Sequence, residues 1–492
     1  MKRLSVVLGM VLCMAQGHAQ NVNVRQNRHS LDEFRKSVRA DFDNFRSQCM
    51  EKFLEFAGNP WKEFDETPPV PMPKEEPVPP VVMPKDDKGK RPMEDRPIVI
   101  DDVIKPAPIP PQPSPVEPIE EVPVVEDKFV EFVFYGTSAR VRFDTSRRPV
   151  VHRVDEKSVV DVMKRMKAED YDNLLVDCLQ LRKTLNLSDW AYIQMLKTLS
   201  RKITDDSYND SALLLAYLYM QSGYKMRLAS DGERLYMLYA SKYKIYDQVS
   251  YLVDGGLYYG VEDLPSKLFI CEASFPEERE MSLMITTKQQ FTYEGSRLRR
   301  IISKKYPEIC AEVSVNKNLI SFYDGYPSSM FGDDIMTRWA IYANTPMEQK
   351  VQSGLYPQLK EKIKGLSQKE AVERLLNLIQ TGFVYEYDDK VWGQDRAFFS
   401  EETLYYPYCD CEDRSILLTR LVRDLLGLNC ILVYYPGHLA SAIEFTEGDV
   451  KGDYIELSGH RYVIADGTYI NASLGMTMPG MDNFKAKVIL LD

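Results

Sequence analysis

The stretch that decides the fold is YCDCEDRSILLTRLVRDLLGLNCILVYYPGH, residues 408–438. Within it, apolar residues recur at helical spacing from Arg414 to Leu426, and Gly427 predicts the end of the helix. The apolar run Cys430–Tyr435 then has the length and composition of a strand. Two more strand-like runs follow, Ala440–Phe445 and Tyr462–Ala465. The sequence therefore predicts a helix followed by antiparallel strands, in an α+β fold.

Three residues of catalytic type stand at the ends of these elements. Cys411 begins the helix, where unpaired N–H groups and the helix dipole favour a thiolate and offer one donor to an oxyanion. His438 opens the second strand and Asp466 closes the third. On adjacent antiparallel strands, this imidazole and this carboxylate would lie side by side. The pattern predicts a Cys-His-Asp triad, and the alternative is a buried structural cysteine.

The same residues form motifs that resemble a known family. These are CED at Cys411–Asp413, GH at Gly437-His438 and DGTY at Asp466–Tyr469. They resemble the transglutaminase-like superfamily of cysteine enzymes, related in fold to papain, in a bacterial exported form, over roughly the last 150 residues. One departure is Gly467, where the family usually has proline. The resemblance implies that Cys411 attacks an amide carbonyl, that His438 carries its proton, and that Asp466 orients the imidazole.

Other residues near the triad have weaker claims to a role. Trp392 or Gln394 could give a second oxyanion donor because they lie upstream of the nucleophile, although Trp392 fits packing equally well. His460 lies in a polar turn and is a poorer base than His438. Cys409 is a buried neighbour or a redox partner of Cys411.

The ionisation of the thiol can also be predicted. The helix start and the paired imidazole lead us to expect that the pKa of Cys411 lies below that of a free cysteine. Glu412 and Asp413 act in the opposite direction, but solvated carboxylates would be screened.

The N-terminal part predicts export and a spacer. Lys2 and Arg3 followed by an apolar run and small residues indicate a signal peptide over 1–19. Residues 20–66 carry an 11-residue repeat of phenylalanines, which predicts an amphipathic helix over 31–64 that docks on its own domain or serves self-association or a partner. Residues 67–127 are rich in proline and predict an extended linker.

An internal repeat is predicted upstream of the triad. Residues 128–280 match the C-terminal region at a shift of 204, which places Ser207 and Arg234 at the positions of Cys411 and His438; after a small insertion, Asp254 falls at the position of Asp466. This predicts a degenerate transglutaminase-like domain, then a β-rich connector at 281–340 and the catalytic domain at 341–492. Two unrelated segments with similar helix and strand statistics are the alternative.

Composition limits the partners and cofactors. The net charge is −11 and no basic block follows the first residues, which argues against nucleic acid. Five histidines without metal-ligand spacing predict no metal or organic cofactor, and no later run is long enough for a membrane span. Seven cysteines remain after signal cleavage, so at least one thiol should be unpaired.

These patterns predict an exported cysteine peptidase, amidase or acyltransferase, periplasmic or at the cell surface. Its substrate would be a protein or peptide, which includes cell-wall peptide. The alternative is a non-catalytic envelope or surface binding module that retains the fold.

Overall fold

The structure is a computed structural model and describes residues 61–74, 77–83, 94–100, 102–108, 128–168, 171–272 and 278–492. The predicted signal peptide, and the predicted helix as far as residue 60, lie outside these residues. The described residues belong to one unit. The predicted domain limits therefore mark stretches of a single body.

The described part of the chain mixes α and β structure. Its helices are α1 Glu156–Ala168, α2 Asp172–Thr184, α3 Asp189–Ile203, α4 Tyr208–Gln221, α5 Lys317–Asp324, α6 Arg338–Asn344, α7 Gln349–Ile363, α8 Gln368–Gly382, α9 Asp388–Val391, α10 Ser400–Tyr405 and α11 Cys411–Leu426. Short 3-10 helices lie at Thr145–Arg147, Ile335–Thr337 and Asn483–Lys485.

The strands up to the predicted connector are β1 Lys62–Asp65, β2 Val81–Val82, β3 Arg96–Ile98, β4 Val103–Ile104, β5 Phe129–Phe134, β6 Thr137–Arg142, β7 Met226–Ser230, β8 Leu235–Ser241, β9 Tyr243–Ile245, β10 Ser250–Val253, β11 Gly256–Gly260 and β12 Lys267–Ile270. The later strands are β13 Arg299–Ile302, β14 Cys310–Val313, β15 Ser329–Phe331, β16 Val384–Tyr385, β17 Tyr408–Cys409, β18 Cys430–Tyr435, β19 His438–Glu444, β20 Asp453–Leu457, β21 His460–Ala465, β22 Tyr469–Ile470 and β23 Lys487–Leu490.

Two sheets share one strand order. The C-terminal sheet runs β3-β20-β21-β19-β18-β23-β4, and the other large sheet runs β10-β11-β8-β7-β12-β1. Each of their central hairpins follows a helix that packs against it: α4 lies on β8, and α11 lies on β19. We call α4 with β7, β8 and β10–β12 the first repeat, and α11 with β18–β21 and β23 the second repeat. The two repeats therefore have the same strand order, as the predicted internal repeat requires.

Tight turns set the register in both repeats. The β20–β21 turn has Ser458 and Gly459 at positive φ, 51° and 84°, and the β10–β11 turn has Asp254 and Gly255 at 48° and 74°. Positive φ at both central residues is the geometry of a two-residue hairpin that matches strand twist. Asp254 is therefore the counterpart of Ser458, and the predicted match of Asp254 to Asp466 is wrong.

The predicted helix does not extend to residue 66. Lys62–Asp65 is strand β1, which pairs antiparallel with β12, and Phe64 packs against the core of the first repeat. The 11-residue spacing places Phe64 in helical register, but Pro60 precedes it, and proline removes a donor that a continuing helix needs.

The described parts of the proline-rich region are not a free spacer. Strand β2 pairs in parallel with β22, β3 with β20, and β4 with β23. Proline prevents this region from building a core, but an extended chain can still add to a sheet edge. The predicted connector also differs from expectation, because it contains helix α5 and the start of α6 besides short strands. Among the described helices, none is long and apolar enough to cross a membrane.

Candidate active site

The N-terminus of α11 is fixed by reciprocal capping. The Asp410 carboxylate accepts hydrogen bonds from the N–H groups of Glu412 and Asp413, at 3.1 and 3.4 Å. The Asp413 carboxylate accepts in return from Asp410 N–H at 3.1 Å and from Phe398 N–H at 2.8 Å. Cys411 is thus the first residue of a rigid, capped helix.

His438 and Asp466 meet as predicted from the strand order. Strands β19 and β21 are antiparallel neighbours, and His438 Nε2 lies 2.9 Å from Asp466 Oδ2. Both side chains are almost fully buried. Within the described part of the chain, His438 Nδ1 has no hydrogen-bond partner. With an ionised Asp466 accepting from Nε2–H, Nδ1 carries the free lone pair.

The turn after Asp466 holds its carboxylate in place. Asp466 Oδ1 accepts hydrogen bonds from the N–H groups of Thr468 and Tyr469, at 2.8 and 3.1 Å. The buried Arg414 guanidinium donates to the carbonyl of Gly467 at 3.3 Å, which ties the turn to α11. A Cβ at position 467 would lie 3.2 Å from Arg414 Cβ, so glycine suits this close approach.

Cys411 and His438 line the same open cavity, whose volume is ≈ 390 Å³. The Ser415 hydroxyl donates to the Leu439 carbonyl at 2.9 Å, which fixes the start of β19 against α11. The structure therefore brings the three predicted residues to one place.

The expected low pKa of the thiol is not what the structure shows. Burial, together with the charges of Asp410 and Glu412, raises the pKa of the Cys411 thiol well above its usual value, although the Leu439 N–H acts in the opposite direction. The expectation assumed that the carboxylates flanking Cys411 are solvated. Glu412 and Asp413 are instead buried, so their charges are weakly screened.

Three carboxylates near the thiol could hold a cation. Asp388, Asp410 and Glu412 each offer an oxygen, and these atoms lie within 4.8 Å of one another. Burial and the charge of Glu412 raise the pKa of Asp388 to about 8. Sequence spacing missed this cluster because Asp388 comes from a separate segment; the adjacency of Asp410 and Glu412 was the available signal.

The structure places the weaker candidates for a catalytic role, Trp392, Gln394 and His460, in different surroundings. Gln394 lines the cavity, whereas Trp392 packs against Phe398 and Tyr406 with ring centroids 5.7 and 4.8 Å apart. Trp392 thus serves packing. His460 forms an exposed pair with Glu444 at 2.6 Å.

The cysteines near the helix are thiols. Cys409 is buried, and its Sγ lies 3.8 Å from the Val384 carbonyl. All six described cysteines are free.

The first repeat has different residues at the equivalent positions. Arg234 directly precedes β8, as His438 begins β19, and its guanidinium lies 5.1 Å from the ring centre of Tyr208, the first residue of α4. Ser207, predicted to match Cys411, is the N-cap of α4.

The acidic position of the first repeat follows from strand register. Continuing the β8–β11 register places Glu262 opposite Tyr236, two residues after Arg234. The β19–β21 register places Asp466 opposite Ala440, two residues after His438. Glu262 therefore stands where the second repeat has Asp466, and it pairs with Lys197 at 3.3 Å.

Comparison with known proteins adds no relative to this description. No protein-family model, no curated protein and no solved structure matches the chain.

Proposed function

We propose that this protein is a cysteine hydrolase or acyltransferase of the transglutaminase-like type, acting on an amide bond of a peptide or protein. The observation that carries the proposal is the buried His438–Asp466 pair at 2.9 Å, with His438 Nδ1 free and Cys411 on the same cavity. A nucleophile, a base and a group that orients the base are the parts that acyl transfer needs.

The chemistry follows from these groups. His438 Nδ1 takes the proton of the Cys411 thiol as sulfur attacks the amide carbonyl carbon. The C–N bond then breaks, the leaving nitrogen takes the proton from His438, and a thioester remains on Cys411. Water or an amine attacks the thioester to release an acid or a new amide. Because the pKa of the thiol is raised, proton transfer accompanies attack and does not precede it.

Donors for the developing oxyanion lie at the helix start and across the cavity. The N–H groups of Glu412 and Asp413 already donate to the Asp410 carboxylate, which caps α11. Both Cys411 and Gln394 line the cavity, which supports the Cys411 N–H and the Gln394 side-chain amide as the donors to the carbonyl oxygen.

The N-terminal pattern supports export, to the periplasm or the cell surface, with proteins, peptides or cell-wall peptides as substrates. Fractionation of the producing cell tests the location. A binding module that retains the fold is the competing function, and it needs no reactive thiol.

Intact-protein mass spectrometry tests the activity. We expect incubation with short peptide p-nitroanilides to add one acyl group, mapped to Cys411. Cys411→Ser should remove the adduct, while Cys409→Ser, which changes a buried thiol two residues away, should keep it. An adduct that survives Cys411→Ser, or no adduct with any peptide, would support the binding module.

A further inference from the structure

Asp388, Asp410 and Glu412 form a compact oxygen cluster in the wall of the cavity that contains Cys411. All three residues are buried. Within the described part of the chain, none of the three makes an ion pair with a lysine or arginine; Arg338, on the same cavity, pairs with Asp395 at 2.9 Å. Three ionised carboxylates this close repel one another, so they either hold protons or share a positive charge.

Two of the carboxylates are held so that one oxygen stays available. Asp388 Oδ2 accepts from Arg396 N–H at 2.7 Å, and Asp410 Oδ1 accepts from Glu412 N–H at 3.1 Å. Each therefore has a second oxygen that these bonds do not use. Orientation of carboxylates by such outer contacts is typical of metal sites.

Glu412 supplies the independent observation. Its side chain is 6% exposed, and its Oε1 has no hydrogen-bond partner among the residues that the structure describes. A buried, unsatisfied carboxylate oxygen is rare in native proteins, and an ion is one of its ordinary explanations. The cavity of ≈ 390 Å³ beside it leaves room for the waters that complete a coordination shell.

We propose that Asp388, Asp410 and Glu412 bind a divalent cation of the calcium type. Carboxylate oxygens are the ligands that hard cations prefer, and Ca²⁺ tolerates an irregular shell completed by water. The site rests on carboxylate geometry and does not depend on the proposed chemistry of Cys411. The ion would also counter the two negative groups that flank the thiol.

Terbium luminescence of the full chain tests the site, because Trp339 lines the same cavity and can sensitise Tb³⁺. We expect a saturable signal that Ca²⁺ displaces. Asp388→Asn and Glu412→Gln should weaken Tb³⁺ binding by about tenfold or more. Asp389→Asn, which changes an exposed carboxylate on the same cavity, should leave it unchanged.

Thermal unfolding distinguishes loss of cation binding from misfolding of the variant. In EDTA, Glu412→Gln should unfold at the wild-type temperature or above, because the change removes a like charge. Calcium should raise the unfolding temperature of the wild type and not that of the variant. No saturable terbium signal from the wild type, or a signal that both variants keep, would overturn the site.

A different set of contacts concerns access to the cavity. We call the described residues 67–74 and 77–83 the strap. Met72, Pro73, Lys74 and Pro77 of the strap line the cavity together with Cys411 and His438. Val78 N–H donates to the Gly437 carbonyl at 2.9 Å, one residue before His438. Met83 N–H donates to the Ile470 carbonyl at 2.9 Å, four residues after Asp466.

From these contacts we infer that the strap is an internal inhibitor, which a peptide substrate must displace. The inference rests on the proposed function. The strap contacts the backbone on both sides of the His438–Asp466 pair, and an extended peptide would add to the same edges. The cavity that remains beside the strap admits a small reagent such as iodoacetamide.

A matched pair of double variants tests the strap. Val78→Pro with Met83→Pro removes both N–H donors, while Val78→Ala with Met83→Ala keeps them and loses similar side-chain contacts. Each hydrogen bond contributes modestly, so we expect the proline variant to acylate with peptide p-nitroanilides about tenfold faster than the alanine variant. Iodoacetamide should label Cys411 equally in both.

Equal peptide rates with equal labelling would overturn the strap as inhibitor and leave the proposed function standing. The absence of both acylation and preferential labelling of Cys411 in every variant would instead refute the proposed function, and the strap inference would fall with it.

Discussion

The two repeats have the same strand order but different groups at three positions. The second repeat places Cys411, His438 and Asp466 at the helix start, the hairpin and the end of the third strand. The first repeat places Ser207, Arg234 and Glu262 there, and Lys197 pairs with the Glu262 carboxylate. The fold thus supplies equivalent positions in both repeats, and on the proposed function the side chains at these positions decide whether a repeat can transfer an acyl group.

Substitution at the hairpin position, His438 in the second repeat and Arg234 in the first, should give the largest difference in activity between the repeats. We expect His438→Ala to lower kcat/KM for peptide p-nitroanilides by about 10³-fold or more, because it removes the imidazole that lines the same cavity as the thiol and is proposed as its base. Arg234→Ala, at the same position of the first repeat, should leave kcat/KM within about twofold of the wild type. A comparable loss in both variants would show that the first repeat takes part in the chemistry.

The acidic position should give the next largest effect. Asp466→Asn keeps an oxygen for the N–H groups of Thr468 and Tyr469 but presents an amide to His438, which favours the wrong tautomer. We expect a loss of about 10²-fold or more in kcat. Glu262→Gln should change kcat little. If Asp466→Asn is fully active, His438 is oriented by other groups.

Much of the site could be predicted because its signals are local. The apolar stripe of α11 and the run of β18 were visible, and the strand β18 was predicted with its observed limits. The helix begins at Cys411, as predicted, although its first turn is polar and the apolar periodicity starts only after Arg414. Strand β20 was missed because Lys451–Asp453 has the composition of a turn.

The rest depends on long-range contacts. The sequence shows that proline excludes a core in residues 67–127, but not that an extended chain adds to sheets far along the sequence. The burial of Glu412 was equally hidden, since a carboxylate in a first helical turn is usually solvated. Burial of Cys411 itself, and then the charges of Asp410 and Glu412, raise the Cys411 pKa against the expected direction.

The helices that pack against the two repeats also differ in the partners of their buried carboxylates. Asp189, on the helix packed against α4, pairs with Arg182 at 2.6 Å. Glu401, on the helix packed against α11, accepts a backbone hydrogen bond from Glu348, and burial raises its pKa to about 7.

Glu401→Gln should therefore change the pH dependence of stability. Between the unfolded pKa near 4.5 and about 7, the folded state holds an extra proton, so the free energy of unfolding falls as pH rises through this window. Replacing the Glu401 carboxyl by an amide should reduce this decrease in the free energy of unfolding by roughly 1–3 kcal/mol. Urea unfolding at pH 4.5 and 7.5 measures this, and equal slopes in wild type and variant would contradict it.

The smallest effect is expected at the two hairpin turns. Asp254 and Ser458 have φ of 48° and 51°, a region that glycine enters without strain. Asp254→Gly and Ser458→Gly should each change the free energy of unfolding by no more than about 1 kcal/mol and leave activity unchanged. A large effect of Asp254→Gly alone would restore the alignment of Asp254 with Asp466.

The most direct measurement is residue-mapped alkylation of the native full chain with limiting iodoacetamide, read by peptide mass spectrometry. Cys310 is the half-exposed internal control, and Cys411 is only 5% exposed but lies beside His438 on the cavity. The account predicts that Cys411 is alkylated before Cys310 in the wild type, and that His438→Ala reverses this order. Alkylation of Cys310 first, with no change of the Cys411 rate in His438→Ala, would contradict it.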